Sequence, residues 1–255
     1  MTSPPLTSDY VFDLDGGRAC LDFANTLSPT SGEHLNSYAD LIAFASQSAL
    51  LTPEDAAWLR AEGARDPITA DGVVVRAKRL RASIYAIFSA LAAGKAAPER
   101  EVEHLNANLA ASMSHARVMS AAELGRRESG AGSGYHWGFS GRNLDAPLWP
   151  IMRSAADLLT SADELQRVHE CTADECQWLF LDTTRNRSRQ WCSMGSCGNR
   201  EKARRHYQRI RDLQRSASAA VASVEVEAGD GGRRGRSRAG RKQAAPAGDA
   251  SARAE

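Results

Sequence analysis

Four of the five cysteines fall within 27 residues, as Cys171, Cys176, Cys192 and Cys197. They form two pairs of Cys-x4-Cys spacing separated by fifteen residues, and spacing this close lets a knuckle or a helix start present two thiolates to one ion. Four thiolates in tetrahedral array suit zinc, and a closed four-sulfur set leaves no open position for a reacting water. The expected cofactor is therefore one structural zinc. His169 and His206 lie close enough in sequence to serve as alternative ligands. The opening MTSPPLTSDY has no basic and apolar leader, so a cytoplasmic location is expected and a disulfide framework is not. Cys20 stands alone upstream and reads as a small core residue beside Leu21 and Phe23.

The segment between the pairs, QWLFLDTTRNRSRQW, is expected to form a hairpin with WLFL as one arm, TTRNRS as the turn and RQWCSM as the return. After Cys197-Gly198-Asn199-Arg200, the stretch EKARRHYQRIRDLQR reads as a helix. A fourth ligand at a helix N-terminus gains from the dipole, which favours a thiolate there. Ala203, Tyr207 and Ile210 are spaced to give that helix a packing face on the metal module.

Charge is distributed unevenly. Residues 1–165 carry 14 basic and 20 acidic side chains, a net of −6, whereas residues 183–215 carry ten basic against two acidic, a net of +8. A basic module on an acidic body points to a polyanionic partner. The expected nucleic-acid contacts are Arg185, Arg187 and Arg189 from the hairpin tip, with Asn199, Arg200, Lys202, Arg204, Arg205 and Arg209 from the helix. DNA is the leading partner. RNA or an acidic protein is the alternative.

The elements that must position these groups follow from pattern. DYVFDLDGG reads as a strand and a Gly16-Gly17 turn, with a helix starting between Asp22 and Asn25. Ser37 and Asp40 form a capping pattern before LIAFASQSALL, and Thr52-Pro53 opens another helix. Val73, Ala77, Leu80, Ile84, Ile87, Phe88 and Leu91 recur at helical spacing up to Gly94, and Glu99–Ser112 repeats the pattern more weakly. HARVMSA and YHWGFSG read as two strands joined by a Gly-rich loop, followed by a helix over Leu148–Ser161. No window approaches eighteen apolar residues, so no membrane span is expected.

Asp13, Asp15, Asp22 and Asn25 cluster near the Gly-Gly turn, but acids flanking a turn and a helix start more often act as caps than as catalysts. Gly16-Gly17-Arg18 lacks phosphate-loop spacing, and no nucleophile-base arrangement stands out. No enzymatic activity is expected.

Residues 171–205, with WLFLD, the RNRSR segment, the WCSM arm and the tetrapeptide Cys197-Gly198-Asn199-Arg200 in order, resemble the CGNR zinc finger. Gly16-Gly17-Arg18 and Cys20-Leu-Asp-Phe-Ala-Asn-Thr26 resemble the start of the ABATE domain found upstream of such fingers. The family is described as stress-induced transcription regulators, so the resemblance implies a regulatory DNA-binding protein.

The expected fold is α+β: a mostly helical N-terminal domain with a small antiparallel sheet over residues 1–160, then a small zinc-bound hairpin-plus-helix module over 165–215. Residues 216–255, rich in Ala, Gly and Arg, are expected to be a disordered tail dispensable for folding. The N-terminal body is expected to act as a sensor or through a homodimer, and the sequence names no effector. Treated as separate domains, the two predict that chelation melts residues 170–215 and spares the body.

Overall fold

The computed structural model describes residues 6–124 and 134–230, the last twelve of these by backbone alone. The elements in chain order are α1 (Ala19–Ala24), β1 (Leu27–Ser28), β2 (Gly32–Glu33), α2 (Tyr38–Gln47), α3 (Pro53–Arg65), α4 (Pro67–Ala92), α5 (Glu99–Met113), β3 (Ala116–Ser120), β4 (Tyr135–Phe139), α6 (Leu148–Thr160), α7 (Ala162–Leu165), β5 (Val168–Glu170), β6 (Leu179–Leu181) and α8 (Asn199–Asp230). The fold is mostly helical with three small antiparallel ribbons, β1–β2, β3–β4 and β5–β6.

The helix starts obey local chemistry. Ser37 Oγ accepts from the Asp40 amide and Asp40 Oδ2 accepts from the Ser37 amide at 2.8 Å, a reciprocal cap for α2. Thr52 and Pro53 open α3 in the same manner as the sequence suggests, with Thr52 Oγ1 accepting from the Asp55 amide. α4 starts six residues before the apolar run, at an Asp66 cap followed by Pro67. Its buried stripe is Val73, Ala77, Leu80, Ile84, Ile87 and Phe88, and it packs against α1, α2, α3 and α5 as the central rod of the body. The expected hairpin is present as β3–β4, with Val118 opposite Trp137. Of its connecting loop, residues 121–124 and Gly134 are described and residues 125–133 lie outside the described residues.

One expected strand is absent. Residues 6–15 run extended without strand pairing. A side chain takes the place of a partner strand: Gln47 Oε1 accepts from the Phe12 amide at 2.9 Å, and Gln47 Nε2 donates to the Tyr10 carbonyl at 2.8 Å. The alternation in DYVFDLD thus describes extended chain, with Phe12 buried, but a glutamine amide satisfies the backbone.

Among the described residues no linker separates the body from the cysteine module, and everything through Lys202 forms one compact unit. Strand β6 explains why. Leu179 and Leu181 belong to the main core, the cluster that also holds Phe88, Ile151 and Leu158, whereas Phe180 belongs to a second cluster made by the four cysteines and Ala173. Alternate side chains of a strand face opposite ways, so this three-residue strand is the wall between two cores. Burying each leucine contributes roughly 1.5–3 kcal/mol.

The second unit begins at Ala203. Its helix, the continuation of α8, runs to Asp230, past the point near 215 where the sequence suggested that order ends. Extending an existing helix adds a hydrogen bond per residue with no nucleation cost, and ASAAVASVEVEA is rich in residues that tolerate it. Residues 231–255, the rest of the expected tail, lie outside the described residues.

Candidate metal centre and basic surface

The first knuckle grows out of the β5–β6 ribbon. The Cys171 amide donates to the Trp178 carbonyl at 2.8 Å, and the Cys176 amide closes a turn on Ala173 at 3.2 Å. Glu175 and Gln177 take left-handed backbone angles inside this loop, φ 64° and 57°, so the knuckle is strained into shape by its surroundings. Thr172 ties it to the second pair: both its amide and its hydroxyl donate to the Gln190 carbonyl at 3.0 Å. The second knuckle is a π-helical turn, Met194–Gly198, which delivers Cys197 directly to the start of α8.

The expected hairpin pairing is corrected here. WLFL pairs with VHE, residues 168–170, and not with RQWCSM. Strand β6 therefore has its partner upstream of the first cysteine, and the segment from Asp182 to Gln190 is held otherwise. Asp182 organises it: Oδ1 accepts from the Thr184 amide and hydroxyl at 2.8 and 2.6 Å, and Oδ2 accepts from the Arg189 amide at 2.9 Å. Burial alone would raise the Asp182 carboxyl, but these donors hold it below the usual carboxylate range.

All four cysteines are buried, and their sulfurs lie within 4.8 Å of one another. The Sγ separations are 3.6 Å for Cys176–Cys192, 3.6 Å for Cys192–Cys197 and 3.5 Å for Cys197–Cys176. A tetrahedral zinc with Zn–S bonds of about 2.3 Å requires sulfurs about 3.8 Å apart, so these three separations lie a few tenths of an ångström inside the liganded geometry. Without a cation the set cannot ionise together. Hydrogen bonds from Cys176 and Cys192 hold the Cys171 thiol low, while the bond to Cys171 pushes the Cys176 and Cys192 thiols up. A divalent ion is what permits the protons on Cys176 and Cys192 to leave. The Cys192 amide donates to Cys171 Sγ at 3.4 Å and Arg200 Nη2 donates to Cys197 Sγ at 3.3 Å, contacts that suit thiolate ligands. His169 sits beside Phe180 at 5.9 Å between ring centroids, outside the quartet, and His206 lies on α8. Among the described residues the four cysteines are the sole cluster fit for a metal. Four protein sulfurs close the site, so the zinc it binds is structural.

The basic residues separate into two groups. Arg189 turns inward. Its guanidinium donates to the carbonyls of Trp191 at 2.9 Å, Cys192 at close range and Asp15 at 3.1 Å, and it lies 4.6 Å over the Phe180 ring. The expectation of Arg189 on an outer contact surface is therefore not met, because its fork is spent binding the second knuckle to the N-terminal segment. Arg185 and Arg187 remain exposed, Arg187 in an ion pair with Asp163 at 2.9 Å. Asn199 is exposed and donates to the Gly195 carbonyl at 3.2 Å. Arg200, Lys202, Arg204, Arg205 and Arg209 are all exposed along α8. Within the second unit Ala203, Tyr207 and Ile210 are exposed, Tyr207 at 67%.

Sequence reasoning missed the residues that fuse the metal module to the body. Asn25 and Leu179 exchange two hydrogen bonds, and the Leu181 amide donates to the Gly16 carbonyl at 2.8 Å. Gly16 cannot carry a side chain there, because a Cβ would lie 2.8 Å from Asp22 Oδ1 and 2.9 Å from the Asp22 amide. Asp22 in turn accepts from the Gly16 amide at 2.7 Å. Asp22 and Asn25 near the Gly-Gly turn are thus occupied in structure. The available signal was the motif itself, which spends Gly, Asp and Asn within ten residues.

A family model for the CGNR zinc finger matches residues 167–210. A second model, ABATE, with the description "Putative stress-induced transcription regulator", matches residues 17–162. The chain belongs to the ABATE family. Its body from α1 through α6 is the ABATE domain, and the knuckles with the start of α8 are the CGNR finger. No curated protein matches the chain. No helix among the described residues is long and apolar enough to cross a membrane.

Proposed function

We infer that this ABATE protein regulates transcription by holding DNA through its zinc-folded finger, with the ABATE body as the sensing or dimerising part and no catalytic role. The observation that carries the reading is the density of exposed positive charge that begins at the metal. Within 183–215 the net charge is +8, and Arg185, Arg187, Arg200, Lys202 and Arg209 are exposed. Zinc fixes the turn from which α8 departs, so the first basic side chains are presented from a rigid base, which favours defined contacts over diffuse attraction. Sequence preference requires hydrogen bonds to base edges besides phosphate contacts, and Asn199 and Arg185 have the chemistry for both.

The alternative partner is RNA or an acidic protein. Tyr207 and Leu213, 67% and 66% exposed among the arginines, are more apolar than phosphate contact requires and favour a protein partner or a second copy. Selection of bound duplexes from a random-sequence pool by the zinc-loaded protein separates these readings. A short recurring motif supports DNA readout, and failure to enrich any duplex over non-specific background removes it.

A further inference from the structure

We propose that the ABATE body binds a small monocyclic aromatic carboxylate in a cleft between α3, β4 and α6, remote in sequence from the metal ligands. The proposal deepens the sensor reading of the body, but it concerns binding alone and so fails separately from DNA recognition.

Three of the five tryptophans line this one cleft, from three different elements: Trp58 of α3, Trp137 of β4 and Trp149 of α6. Trp149 is 3% exposed and forms the floor, stacked on His115 with ring centroids 3.9 Å apart and planes 7° from parallel. Trp58 is half-buried and Trp137 is 50% exposed. An indole left half in water on a two-stranded ribbon forgoes much of its burial energy, and aromatic walls with that exposure are suited to stacking a planar ligand. The cavity volume is about 100 Å³, below the roughly 150 Å³ of a closed cavity that accepts benzene, so the cleft encloses part of one ring and leaves the ligand's polar end at its open side.

Arg142 at the mouth sets the charge of the ligand. Its guanidinium lies 5.6 Å over the Trp58 ring and makes no ion pair among the described residues. By contrast, Arg153, which lies 4.4 Å over Trp137, is held by Asp157 at 2.6 Å. A guanidinium stacked on an indole keeps its donor edge free, and that planar edge fits a carboxylate. Two acids border the cleft. Asp55 accepts the Thr52 hydroxyl at 2.6 Å within the α3 cap. Glu54 is exposed in the first turn of α3, where the helix's positive end counters its field.

One backbone position beside the cleft is held in a costly conformation, and another requires glycine. Ala49, at the C-terminal end of α2, has φ 53°, in the left-handed region that glycine usually supplies. Gly141 has φ 135°, and a Cβ there would come 3.0 Å from His115 Nδ1. Strain kept at a concave site is the arrangement expected of a binding cleft.

The test is titration of the zinc-loaded full chain with benzoate, benzyl alcohol and benzylamine, followed by calorimetry and tryptophan fluorescence. Benzoate should bind saturably and quench fluorescence, at least about tenfold more tightly than benzylamine. Arg142→Gln should weaken benzoate by about tenfold and leave benzyl alcohol unchanged, and Trp137→Leu should weaken both. Both side chains are exposed enough that unchanged melting temperatures will verify folding. Absence of saturable benzoate binding, a preference for benzylamine, or indifference of benzoate to Arg142→Gln each overturns the proposal.

Discussion

Asn25 and Leu179, 154 residues apart, are joined by a closed pair of hydrogen bonds: Asn25 Nδ2 donates to the Leu179 carbonyl and the Leu179 amide donates to Asn25 Oδ1, both at 2.9 Å. A side chain of the body thus acts as the neighbouring strand for β6, and the same strand carries Phe180 into the metal cluster. Asn25→Ala leaves both backbone groups buried and unpaired, with an expected loss of about 2–5 kcal/mol. Urea denaturation measures it, and a loss below about 0.5 kcal/mol would place the pair among neutral surface contacts.

Zinc removal follows from the same geometry. Independent domains would let chelation melt the finger and leave the body untouched. With Leu179 and Leu181 in the body's core, loss of the metal should loosen α1 and α4 as well. Hydrogen exchange before and after chelation reads this directly. Increased exchange in Ala19–Ala24 and in the second half of α4 is expected, and unchanged protection there would restore the independent reading.

Asp22 provides a pH test. Burial first, countered in part by the Gly16 amide, raises its carboxyl from 3.8 to about 6. The folded state therefore favours the proton, and the stability this group contributes is complete below about pH 4 and lost as pH rises through about 6. Asn at this position can still accept from Gly16. Asp22→Asn should gain stability relative to the native chain between pH 4 and pH 7, by up to about 3 kcal/mol. A constant difference across that range would mean that Asp22 does not titrate there.

Arg189 separates structural from contact roles. Arg189→Lys retains the charge but loses the fork that reaches Asp15 and Trp191. It should lower thermal stability by about 1–3 kcal/mol while the salt dependence of DNA binding stays unchanged. A flattened salt dependence with native stability would return Arg189 to the contact surface.

The metal ligands, the helix caps, the long apolar stripe of α4 and the β3–β4 hairpin were legible because each is written in local spacing. The cysteines of each pair are five residues apart, Ser37 and Asp40 three, and the α4 stripe repeats with the helical period. The errors arise where a distant group overrides local pattern. DYVFDLD alternates as a strand does, yet its backbone partner is Gln47. WLFL reads as an arm returning on RQWCSM, but VHE and Asn25 take its two edges. Arg189 has the same local sequence character as Arg185 and Arg187, and only the three-dimensional approach of Asp15, Trp191 and Cys192 turns it inward.

The central claim is that DNA is held by the exposed basic set at the finger and the start of α8. Its most direct measurement is duplex affinity across a salt series for the zinc-loaded native chain, Arg185→Ala and Arg209→Ala. Each phosphate neutralised contributes about −0.9 to the slope of log affinity against log salt. A side chain that meets only phosphate should, when removed, weaken all duplexes alike and flatten the slope by about one, whereas one that reads guanine should cost about 1–3 kcal/mol on the preferred sequence alone. Equal affinities and slopes for all three proteins, with zinc content intact, would contradict the account and assign the basic surface to another partner.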